Sequence, residues 1–240
     1  MSKNTTKILA VIAHPDDETL FSGTIALLAD KNIPTQIVYS TSGDGGGDAS
    51  GRNLSGDALA VVREDETRDS LKILGLETPP IFLKYHDGDL KNQTQNLKNK
   101  ISDLFDEIQP TIVITFGPDG MSGHPDHIAV GAATDFIFDR KDFMETLLHI
   151  AVSETRTNIY NSIAENYLVE NAVNDKAINL IIDVEKYNEK RLQAMTAYKT
   201  QFTEKDCKAV ENLFTKASYE EFIIARKRGM KDGVFGACLG

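Results

Sequence analysis

The chain has 240 residues, 41% of them apolar, which suits one α/β domain spanning 1–240 with a sizeable core and no second domain. Its 36 acidic against 26 basic side chains leave a net charge of -10, which argues against a nucleic-acid or anionic-membrane binder, since either needs a basic face. No apolar run is long enough for a membrane span. The run Ile8–Ala13 leads straight into a charged turn, so no signal peptide is read there. Cys207 and Cys238 form neither a CxxC unit nor a zinc ribbon and read as reduced thiols, so a soluble cytoplasmic protein is expected.

In chain order, a buried strand is expected at about Lys7 to Ala13, then a helix at about Thr19 to Asp30 with Phe21, Ile25 and Leu28 on one face. Gly23 in that helix permits a close backbone approach. A second strand is read over Ile33 to Tyr39. The loop Ser42-Gly43-Asp44-Gly45-Gly46-Gly47-Asp48 follows, and it matches neither a dinucleotide nor a P-loop fingerprint. It reads as a mobile loop beside a site. A helix over about Ala58 to Leu74 stops at Gly75 and carries Arg63-Glu64-Asp65-Glu66, a solvated face except that Arg63 could reach a substrate. A short strand, Ile81 to Leu83, enters Tyr85-His86-Asp87-Gly88-Asp89, where His86 reads as polar surface more readily than as a ligand. A helix striped by Leu97, Ile101, Leu104, Phe105 and Ile108 ends before Pro110. A fourth strand spans Thr111 to Thr115, and a helix starts near Pro125. The last third offers a strand at Ile178 to Asp183, a helix at Val184 to Tyr198 and a short element at Glu220 to Lys227.

Strands alternating with helices argue for a mostly parallel sheet flanked by helices. With strand order 3-2-1-4, the topological switch point lies between the first and fourth strands, and ligands of open α/β sheets bind there. Two polar segments end at that point: Ala13-His14-Pro15-Asp16-Asp17-Glu18 and Gly123-His124-Pro125-Asp126-His127. The first alone is equally compatible with a solvated acidic helix start. Together they suggest more. His14, Asp17 and His127 supply three N/O ligands, the pattern of a catalytic zinc site with one open position, and Asp16 is left to face whatever the metal binds.

These two segments, with Arg63-Glu64-Asp65-Glu66, Leu74-Gly75 and Lys190 to Gln201, resemble the PIG-L (LmbE-like) family of zinc-dependent N-deacetylases. The resemblance covers most of the chain. It implies a Rossmann-like α/β fold and removal of the acetyl group from the 2-acetamido nitrogen of an N-acetylglucosaminyl compound. It also implies zinc on His14, Asp17 and His127, Asp16 as general base, His124 paired with Asp126 as the second catalytic group, and Arg63 and Asp87 at the substrate. Two positions depart from the family pattern: Ser122, where some members carry a tyrosine, and Tyr198, where many carry a histidine. The chemistry agrees, because zinc lowers the pKa of bound water to about 7 and an amide needs such a nucleophile. Three points stay open. The amide could belong to another substrate, such as a thiol-sugar conjugate, or the chain could bind sugars without catalysis. Iron(II) or cobalt also suits a His₂-carboxylate site. The aglycone and any homo-oligomer are not specified.

Overall fold

The computed structural model describes residues 6–163 and 171–228; Cys238 and the side chain of Ser122 lie outside what it describes. Its strands are β1 (Ile8–Ile12), β2 (Thr35–Thr41), β3 (Ile81–Tyr85), β4 (Ile112–Phe116), β5 (Thr146–Ala151), β6 (Leu180–Asp183) and β7 (Tyr219–Lys227). Its helices are α1 (Ser22–Asp30), α2 (Gly56–Leu74), α3 (Thr94–Ile108), the single turn α4 (Gly120–Gly123), α5 (Pro125–Phe138), α6 (Glu154–Asn161), α7 (Asn188–Ala197) and α8 (Glu204–Lys216). The strands form one sheet in the order β3-β2-β1-β4-β5-β7-β6. The expected order of the first four strands is the observed one. β1 pairs in parallel with β2 and with β4, β3 extends β2 and β5 extends β4, also in parallel, while β7 runs antiparallel to both β5 and β6.

β1 is buried along its whole length, because a central parallel strand has both faces covered by helices. This explains the unbroken apolar run Ile8–Ile12. No described helix is long and apolar enough to cross a membrane.

Several elements differ from the sequence reading. The first helix opens as a 3₁₀ turn, Asp17–Phe21, and becomes α-helical only at Ser22. The cause is a distant carboxylate: buried Glu220 accepts from the Gly23 and Thr24 N–H groups at 2.8 and 2.7 Å and so provides the helix start. The helix read over Val184 to Tyr198 is a 3₁₀ turn, Glu185–Tyr187, followed by α7. β5, α6 and α8 have no counterpart in the reading. Thr146–Ala151 is a short, fully buried run with a central His149, and periodicity cannot assign such a run to strand or helix. Glu220 to Lys227 is an antiparallel strand.

Two glycines set the helix distances. A Cβ on Gly23 would fall 2.5 Å from Val184 Cβ, the close approach expected there. A Cβ on Gly131 would fall 2.5 Å from the Phe116 carbonyl oxygen, so α5, which carries His127, packs directly on the end of β4. Gly131→Ala should cost about 1–3 kcal/mol through overpacking. A thermal melt should then show Tm lowered by several degrees. An unchanged Tm would mean that α5 can shift freely.

Candidate metal centre

β1 and β4 lie side by side, and the turns after them meet at the switch point between them. After β1 the chain turns sharply, with Asp16 at a φ of 98°, in the left-handed region. Asp17 Oδ2 folds back to accept from the Ala13 and His14 N–H groups at 3.1 and 2.7 Å. After β4, the turn Gly120–Gly123 leads into α5, which starts at Pro125 with His124 as its N-cap. His127 stacks flat on Phe116, with ring centroids 4.0 Å apart.

The hydrogen bonds assign the protons. His127 Nδ1 lies 2.9 Å from the Gly120 carbonyl, which can only accept, so His127 carries its proton there and directs the Nε2 lone pair inward. His14 turns Nε2 toward Asp87 Oδ1 at 3.0 Å and Asp126 Oδ2 at 3.3 Å. Its Nδ1 faces His127 Nε2 at 3.3 Å. Asp17 completes the group, with Oδ1 3.1 Å from His127 Nε2 and Oδ2 3.7 Å from His14 Nδ1. His14 Nδ1, His127 Nε2 and the Asp17 carboxylate thus face one another, and their lone pairs are reconciled by a cation among them or by a proton on His14. Ligand atoms around a tetrahedral ion with bonds of roughly 2.0–2.1 Å are about 3.4 Å apart, close to the 3.3 Å between His14 Nδ1 and His127 Nε2, while Asp17 meets His127 through Oδ1 and His14 through Oδ2. The residues therefore fit a metal. Among the described residues, the triads in which one ligand atom from each lies within 4.8 Å of the others are His14–His124–His127 and His14–Asp87–Asp126.

The electrostatics also favour a positive charge. Burial opposes the charged form of His14, but its hydrogen bonds to Asp126 and Asp87 and the charge of Asp17 hold its pKa well above the usual value. Burial, with the Asp17 and Glu18 carboxylates, pushes Asp16 well above the ordinary carboxylate range. His124 is shifted down by burial and by the neighbouring His14 and His127. Its Nδ1 accepts from the Asp126 N–H at 3.2 Å, so its proton sits on Nε2.

His14, Asp16, Asp17, Asp87, His124, Asp126 and His127 come together here, but one expected contact among them is not made. Asp126 and His124 do not pair through their side chains. The Asp126 carboxylate instead accepts from the Gly88 and Leu90 N–H groups at 2.7 and 3.1 Å and from His14. Asp87 likewise gives one oxygen to His14. Arg63 is buried, and its guanidinium donates to the Gly43 and Gly47 carbonyls at 2.7 and 2.9 Å, which ties down the glycine-rich loop read as mobile. That loop is also clamped by Asp44, which bonds His86 and the Asp87 N–H, so His86 is directed away from the centre.

The sequence reading missed Glu18 and Glu66. Glu18 is fully buried and accepts from Tyr198 Oη at 2.5 Å, Ser70 Oγ at 2.9 Å and the Asp16 N–H at 3.2 Å, so it anchors the Asp16 turn. Glu66 receives the Thr200 N–H and hydroxyl. Nothing in their spacing distinguishes these acids from solvated ones. Tyr198, the departure from the family pattern, packs beneath the site as the Glu18 partner.

The family model that matches is PIG-L, described as GlcNAc-PI de-N-acetylase, over residues 9–138. The same segment contains every residue named above for the two turns. A probable N-acetyl-α-D-glucosaminyl L-malate deacetylase 2 from Bacillus anthracis is 30% identical over 85% of this chain and 84% of its own length. The chain belongs to the PIG-L family. A second relative, the 1D-myo-inositol 2-acetamido-2-deoxy-α-D-glucopyranoside deacetylase of Mycobacteroides abscessus, is 28% identical over 92% of each chain. In fold, the chain is similar to the N,N'-diacetylchitobiose deacetylase of Pyrococcus horikoshii, with a TM-score of 0.67 and 22% identity over 98% of this chain and 86% of that one.

Proposed function

We propose that this PIG-L protein is a zinc-dependent hydrolase that removes the acetyl group from the 2-acetamido nitrogen of an N-acetylglucosaminyl conjugate. His14, Asp17 and His127 hold the ion in this reading. The observation that carries it is the convergence of three lone-pair atoms at the switch point, beside a cavity lined by Asp16. The relatives named above are deacetylases of such conjugates with different aglycones.

A divalent ion held by His14, Asp17 and His127 would lower the pKa of a bound water toward neutrality. Asp16 lies next to the ligands with no ion-pair partner among the described residues, and its raised pKa suits it to take a proton from the attacking water and pass it to the leaving amine. His124 keeps its proton on Nε2 and donates it as a hydrogen bond to the carbonyl oxygen as charge develops there. Asp126 and Asp87 orient His14, as carboxylates behind a ligating histidine do. The second oxygen of Asp87 is suited to a sugar hydroxyl.

The test is a fluorescamine assay for released primary amine across N-acetylglucosaminides, run on metal-loaded and chelator-treated protein. Amine release that stops on chelation and returns with zinc is expected. No release from any member of the panel by loaded protein would overturn the reading.

Arg63 acts through the loop it holds. Arg63→Ala should therefore lower kcat/KM by the same factor, roughly tenfold, on neutral and acidic glycosides, a loss of about 1.4 kcal/mol on each. A loss confined to acidic substrates would instead put the guanidinium on the aglycone.

A further inference from the structure

A cavity of about 550 Å³ opens beside the Asp16–Asp17 turn, within the size range of small-molecule sites. Its walls come from the start of the first helix, from α6, α7 and α8, and from the segment after α7. Leu20, Met195, Phe202, Val210, Leu213 and Phe214 make most of the surface apolar. Set among them are Arg156, Thr157 and Arg191.

Arg156 is 7% exposed. Its backbone N–H caps onto Ser153 Oγ, but its guanidinium has no hydrogen bond or ion pair with any described residue, and its contact is the Tyr219 ring, 5.8 Å from the centroid. Two acids that bind its neighbours Ser153 and Thr155 are already engaged. Glu221 accepts from the Ser153 N–H and hydroxyl at 2.7 Å each, and Asp175 accepts from the Thr155 N–H and hydroxyl. Thr157 Oγ1 is buried without a partner. Arg191 is different: it pairs with Glu220 at 3.3 Å, bonds Asn188 and lies over Phe214, so its charge is largely answered within the protein. Even so, its Nε and Nη2 find no hydrogen bond.

The Arg156 guanidinium meets the cavity with no acceptor among the described residues, so water answers it there, and an anion with matching oxygens would replace that water with charge-assisted hydrogen bonds. The apolar walls call for hydrocarbon along the way. Asp16 and Asp17 at the β1 turn, and Asp206 on α8, would repel an anion from their own parts of the cavity.

We propose that this cavity is the aglycone subsite and that Arg156 binds an acidic group, a carboxylate or a phosphate monoester, carried on an apolar stem. The proposal rests on the deacetylase reading above, and Arg156 is the residue in it that touches the substrate.

The test compares three N-acetylglucosaminides: the octyl glycoside, its ω-carboxylate and its ω-phosphate. Wild type should favour at least one acidic member over the octyl glycoside by tenfold or more in kcat/KM, expressed in KM, and which one it favours identifies the anion. Arg156→Gln should bring that ratio to about one, and Arg156→Lys should restore part of it. An equal loss on all three substrates, or no acidic preference in wild type, would overturn the proposal. Direct binding separates this outcome from failure of the deacetylase reading. If no substrate releases amine, octanoate and octyl phosphate are titrated against octanol by calorimetry. Tighter binding of an anion by wild type that Arg156→Gln abolishes supports the subsite, and binding no tighter than octanol overturns it. If the glutamine variant does not fold, the wild-type comparison alone decides.

Discussion

Asp16→Asn is expected to reduce turnover by about 10²–10⁴-fold, the range for a general acid–base group, while the metal stays bound. The two parts of this result have separate structural origins. The Asp16 carboxylate lines the cavity, whereas the three converging donor atoms come from His14, Asp17 and His127. Asparagine keeps the shape of the side chain and tolerates the left-handed φ that Asp16 adopts. The turn itself is held by backbone groups: the Asp16 N–H on Glu18 and the Asp16 carbonyl accepting from the Thr19 N–H at 2.9 Å. The fold and the metal site should therefore survive, and only the ability to accept a proton is removed. The measurement is kcat on an N-acetylglucosaminide alongside metal content by mass spectrometry. Near wild-type kcat would remove Asp16 from the role of base, and loss of metal would make it a ligand.

Removal of His127 should empty the centre. With Nδ1 held on the Gly120 carbonyl and the ring stacked on Phe116, His127 presents Nε2 in one direction only, toward Asp17 and His14. A side chain with its proton and ring plane both set is a preorganised ligand, and no described neighbour has the same geometry. Purified wild type is expected to carry about one zinc-like ion per chain, as one three-ligand site requires. His127→Ala, His14→Ala and Asp17→Ala should each lose most of it. Asp126→Asn should instead retain metal with roughly 10–100-fold weaker affinity, because its carboxylate stands behind His14. Wild-type metal content in all three alanine variants would refute this ligand set. Full loss in His124→Ala with retention in Asp17→Ala would favour the three-histidine alternative.

Much of this molecule is determined locally. The buried run Ile8–Ile12, the stripe on α3, the stop at Gly75 with its φ of 91°, and the start of α5 at Pro125 each follow from a few neighbouring residues. Alternation of strands and helices then brings the two histidine-bearing turns to one end of adjacent strands. The convergence of His14, Asp17 and His127 could be read from the sequence for that reason: the three lie in short motifs, and simple topology suffices to join them.

What the sequence left open depends on partners distant along the chain. Arg63 and Asp65 are near neighbours on one helix, yet one holds the glycine-rich loop and the other is solvated, because only the folded sheet brings Gly43 and Gly47 beneath that face. Glu18 meets Tyr198, Glu66 meets Thr200 and Glu220 meets α1 across separations of 134 to 197 residues. A carboxylate is equally soluble in all these contexts until tertiary packing removes its water and supplies N–H and O–H donors in exchange. Arg156 is the same case with the donor and acceptor reversed. The sequence shows an ordinary arginine in a stretch assigned to no element, and only the packing of α6, α7 and α8 encloses it with no acceptor among the described residues, beside the turn where local sequence had already placed the acidic groups.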